Sequence, residues 1–123
     1  MNSYKSLIAW QKASELCLAT LETVDEAWQP RAAKLFEQLR GAVISADVNI
    51  VEGYALNTVP LFRRHLRIAI GSAAEAERLL EIAAKRGYLA PAKVEPLRQM
   101  ADGTIRALFG LVRSPRLRRK QAL

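Results

Sequence analysis

Residues 58–87 read TVPLFRRHLRIAIGSAAEAERLLEIAAKRG, and this stretch decides the fold class. Phe62, Leu66, Ala69, Ala73, Ala76, Leu80 and Ala83 recur at alternating spacings of four and three. That spacing puts all of them on one face of an α-helix. Pro60 falls in the first turn, where a missing N–H costs least. Gly87 is a natural C-cap, because a helix commonly ends on a residue in the left-handed conformation.

Working outward, the same periodicity appears three more times. From Ser3 to Val24 the apolar stripe is read as Leu7, Trp10, Ser14, Cys17, Leu21 and Val24, with Ser3 as N-cap. After Pro30 a second helix carries Leu35, Leu39, Ala42, Val43, Ala46 and Ile50, and it is expected to end or bend at Gly53. A fourth opens at Pro91 with Val94, Leu97, Ala101, Thr104, Leu108 and Leu111, and Pro115 stops it. Nothing alternates with period two, so strand signals are absent. The sequence therefore predicts an all-α protein, an up-down-up-down four-helix bundle over residues 1–113, with helices at about 3–24, 31–55, 58–86 and 91–113. Short connections between long helices favour antiparallel neighbours. Residues 114–123 are expected to form a flexible basic tail.

The chain has 123 residues, half of them apolar, enough for one domain with a substantial core. Cys17 is the only cysteine, so no intrachain disulfide can form; it is read as a small core residue. A lone thiol suits a reducing compartment. The N-terminus lacks the pattern of a signal peptide, and no run approaches the roughly 20 apolar residues of a membrane span. A cytoplasmic location is the expectation, with no membrane partner. Nineteen Lys and Arg oppose twelve Asp and Glu, a net charge of +7. From Arg113 to the C-terminus there are five basic residues and no acidic one; without them the balance is +2.

A helix of a monomeric bundle should have one apolar stripe and a charged opposite face. The second helix departs from this. Ile44, Val48 and Val51, with Ala55, form an apolar surface away from its core stripe. The third helix carries a separate strip of Ile68, Leu79 and Ile82, with Glu75 among them. A helix apolar nearly all round is buried nearly all round, so Ile44, Val48, Val51, Ile68, Leu79 and Ile82 are expected to form the interface of a homo-oligomer.

Polar groups also lie on these apolar helices. Gln38, Ser45, Asn49 and Glu52 follow one edge of the second; His65, Ser72 and Glu75 lie on the third. One histidine without a Glu-x-x-His motif does not make a ferritin-like metal site. A glycosidase carboxylate pair needs a cleft that nothing indicates. Ser72, His65 and Glu52 could be drawn as a triad, but no nucleophile-elbow glycines surround the serine. Ser45, Asn49, Glu52, Ser72 and Glu75 are therefore read as a structural polar network, and no enzymatic activity, metal or cofactor is expected.

Arg63, Arg67, Arg78 and Lys85 fall within about 60° of one another on an ideal helix, and Arg64 thickens the patch. The tail adds Arg113, Arg116, Arg118, Arg119 and Lys120. Such a surface attracts phosphate backbones. With no zinc finger, RNA-recognition aromatics or phosphate-loop glycines in the sequence, contact with RNA or DNA is expected to be to backbone and shape.

The string Tyr4-x-x-Leu7-x-x-Trp10-x-x-Ala13-x-x-Leu16, Gln38-Leu39-Arg40, Ser45-x-x-x-Asn49-Ile50-Val51-Glu52-Gly53, Phe62, Leu66, Ala69-Ile70-Gly71-Ser72, Glu75, Glu77 and Gly87-Tyr88-Leu89 resembles the 23S rRNA-intervening sequence four-helix-bundle family. That family is similar in fold to the accessory variability determinant of diversity-generating retroelements. The resemblance implies a four-helix protomer, a barrel-like homopentamer and a basic surface that engages nucleic acid. In the retroelement case it also implies a reverse transcriptase partner, for which the chain would act as an interaction scaffold. The family often has two arginines where this chain has Arg40-Gly41, and a proline-containing turn where it has Ala46-Asp47-Val48. One basic group is lost there and an acid appears, so the third helix and the tail are expected to supply the basic surface instead.

Overall fold

The computed structural model describes residues 3–114. They form four α-helices: α1 (Ile8–Glu26), α2 (Ala33–Leu56), α3 (Val59–Lys85) and α4 (Pro91–Val112). Short 3-10 turns at Tyr4–Ser6 and Pro30–Ala32 lead into α1 and α2. No strand occurs among the described residues. Each helix packs on the next in the chain, and α4 closes the ring on α1. The expected four-helix bundle is therefore the observed one. The tail residues Arg116, Arg118, Arg119 and Lys120 lie outside the described residues.

This topology defines two ends. One holds the α1–α2 and α3–α4 connections and is called the loop end. The other holds the start of α1, the end of α4 and the α2–α3 turn and is called the terminal end. The core follows the same division. Toward the loop end Leu16, Phe36, Leu39, Leu80 and Leu97 fill one cluster. Toward the terminal end Ala9, Ala13, Ile50, Phe62, Leu66 and Leu108 fill another.

The stripes of α3 and α4 fall as the spacing predicts, apart from a half-buried Leu111. That of α1 is rotated. Ala9, Ala13, Leu16, Cys17, Thr20 and Val24 are buried, whereas Leu7, Trp10, Ser14 and Leu21 are only half-buried. In α2, Phe36 is buried and Leu35 only partly.

Gly53 does not end α2, which continues to Leu56 and stops at Asn57 in the left-handed conformation (φ 57°). A Cβ at Gly53 would sit 2.7 Å from His65 Cβ and 3.1 Å from Phe62 Cδ1. Only glycine lets α2 and α3 approach so closely. Gly87 does cap α3, with φ 71°, and the N–H groups of Tyr88 and Leu89 return to the Ala83 carbonyl.

Candidate nucleic-acid interface

The polar residues of α2 and α3 form a chain of hydrogen bonds along their seam. Asn49 Nδ2 donates to the Ser45 carbonyl and to Ser45 Oγ, both at 3.0 Å. Ser45 Oγ meets Ser72 Oγ at 2.7 Å. A carbonyl only accepts, so the Asn49 atom beside it is the amide nitrogen. The amide oxygen then faces His65 Nδ1 at 2.8 Å, and that nitrogen must carry a hydrogen. Glu52 lies 3.9 Å from the same nitrogen but is mostly exposed. Glu75 and Gln38 are exposed and stand outside this chain. Ser45, Asn49 and Ser72 thus lie in one hydrogen-bonded chain. Glu52 is peripheral, Glu75 does not belong, and His65 is the member that completes the seam.

The departure at Asp47 has a structural reason. Its carboxylate accepts a hydrogen bond from Trp10 Nε1 at 2.8 Å, tying α1 to α2. Burial pushes the Cys17 thiol pKa up, and the Asp47 charge adds to the shift. Cys17 lies buried in the core. Among the described residues no group of His, Cys, Asp and Glu could hold a metal ion.

The outer apolar face is real but smaller than expected. Ile44, Val48 and Ile68 are exposed at 43%, 40% and 42%. The Ser45–Ser72 and Asn49–His65 contacts bring Ile68 level with Val48. Val51 is half-buried. Leu79 is a correction: it lies on the flank of α3 that α2 covers and joins the core with Phe36 and Leu39. Ile82 packs against that same cluster.

The basic residues divide by whether they have a partner. Arg40 pairs with Asp25 at 2.6 Å, Arg78 with Glu81, Arg98 with Glu81 and Glu95, and Arg106 with Asp102. No described carboxylate pairs with Arg63, Arg64 or Arg67, which occupy the first turns of α3 at the terminal end. Arg113 follows α4 at that end, its guanidinium 5.3 Å from the Phe109 ring centre. Lys85 is also unpaired, but it stands about 27 Å along the helix axis from Arg67. The patch that looks continuous on a helical wheel is therefore two clusters with a neutralised middle at Arg78.

Residues 5–110 match the sequence family described as 23S rRNA-intervening sequence protein. The chain belongs to this family. Among solved structures, a protein of unknown function from the S23 ribosomal protein family of Bacteroides thetaiotaomicron is similar in fold. It has a TM-score of 0.76 and 18% identity, covering 87% of this chain and 100% of that one. No curated protein matches. Family membership agrees with the bundle. No helix among the described residues is long and apolar enough to cross a membrane.

Proposed function

We propose that this protein is a non-enzymatic, nucleic-acid-binding accessory protein that acts as a homo-oligomer. The observation that carries the reading is the terminal end. Arg63, Arg64 and Arg67 lack carboxylate partners there. Arg113 follows α4 at the same end, and the sequence after it adds Arg116, Arg118, Arg119 and Lys120. Cations without protein partners are free to replace counterions along a phosphate backbone. The family's tie to 23S rRNA intervening sequences supports a nucleic-acid partner. The exposed strip of Ile44, Val48 and Ile68 supports a second copy as its cover, and repetition by symmetry would multiply the basic ends.

The test is binding of RNA and DNA across a salt series. Affinity should fall with a log–log slope of about 0.7–0.9 per phosphate contact. Reversing Arg63, Arg64 and Arg67 to Glu should weaken every sequence alike by about tenfold or more, with a shallower slope. Absence of binding at low salt sinks the reading. A second reading takes the Ile44–Val48–Ile68 strip as the seat of another protein, such as a retroelement reverse transcriptase. Solution mass separates the two: a monomer that gains mass only with that enzyme favours the scaffold, and a purified homo-oligomer favours self-assembly.

A further inference from the structure

The loop end carries the second cluster of unpaired cations. Arg31, Lys34, Lys85, Arg86 and Lys93 gather there from three helices and both connections, and no described carboxylate pairs with any of them. Two are arranged in a particular way. The Arg31 guanidinium lies 5.0 Å from the centre of the Tyr88 ring and that of Arg86 5.8 Å from the same centre. Tyr88 is itself fixed edge-on against the buried Phe36.

Gln29 holds the arrangement together. Its Nε2 donates to the Tyr88 carbonyl at 3.3 Å, joining the two connections, and its Oε1 accepts from Arg31 Nε at 2.7 Å. Arg31 therefore keeps its terminal nitrogens available while its position is set. Two positive charges on one ring repel unless an anion lies between or beside them. Preorganised guanidiniums with free terminal N–H groups match phosphate oxygens. Three positions before Arg31, in the same α1–α2 connection, Trp28 stands 51% exposed. An exposed indole on the end of the bundle that carries unpaired arginines combines a stacking surface with backbone contacts, the means by which proteins hold unpaired nucleotides.

We infer that the loop end is a separate contact for single-stranded nucleic acid, with a phosphate held by Arg31 and Arg86 and an adjacent base stacked on Trp28. The inference rests on the nucleic-acid reading above but places a different contact, at the other end of the bundle, with a preference for unpaired over duplex strands.

The experiment uses the full chain, a labelled oligo(dT) single strand and a duplex of the same length. Anisotropy reads binding and tryptophan emission reads stacking. The single strand should quench emission and the duplex should not. In Trp28→Leu, which retains Trp10, the quenching should vanish. Arg31→Gln with Arg86→Gln should weaken the single strand about tenfold and leave duplex affinity within twofold. Single-strand binding with unchanged emission and unchanged affinity in that double variant overturns the inference and leaves the parent reading standing. Loss of duplex binding on reversal of Arg63, Arg64 and Arg67, with Trp28 quenching retained, supports it. If anisotropy finds no binding of either strand form, both readings fall. Trp28→Leu is an exposed change, so it decides the matter even if the arginine variant does not fold.

Discussion

At the loop end the core is filled by Phe36, Leu39, Leu80 and Leu97, with Tyr88 edge-on against Phe36. At the terminal end α2 and α3 meet through Gly53, and the hydrogen-bonded seam from Ser72 to His65 runs toward that meeting point. The first end buries apolar volume. The second restricts how the helices can slide past one another. Apolar packing alone is tolerant of register, whereas a half-buried polar chain such as this one is fully satisfied in one alignment only. The difference teaches that stability and register of this bundle rest on different residues.

The comparison breaks most visibly at Phe36. Phe36→Ala leaves a cavity in the loop-end cluster and should cost about 3–5 kcal/mol in a denaturant titration; a cost near zero would remove the loop end's claim to the core. Gly53→Val forces the seam apart and should cost up to about 3 kcal/mol, with a calorimetric midpoint lowered accordingly. Unchanged melting would mean that the close approach is not obligatory. Asn49→Leu sharpens the contrast. It strands the His65 and Ser45 groups and should cost about 1–2 kcal/mol. Its clearer readout is faster amide exchange along α2 and α3 near the terminal end than at the loop end. Equal change at both ends would deny the seam its separate role.

The stripe of α3 was legible because its seven apolar positions keep strict helical spacing. The α1 stripe was not, because size misled. Leu7, Trp10 and Leu21 look more core-like than Ala9, Ala13 and Thr20, yet the latter are buried. Small residues win where helices approach closely, and Trp10 is drawn aside by Asp47. Gly53 was readable as a special position but not as a contact, since its reason is His65 on another helix. The basic residues were legible in angle and not in axial distance. The site at Tyr88 needed the fold, because Gln29 and Arg31 reach it across 59 and 57 positions of chain, respectively.

The seam also has a direction. His65 Nδ1 donates to Asn49, Asn49 donates to Ser45, and the Ser45 hydroxyl meets that of Ser72. The first two hydrogens both point away from the imidazole. A histidine in this position works as a fixed donor. It gives the pairing of α2 with α3 a polarity, so that a slip of one helix turn would bring donors against donors rather than against acceptors.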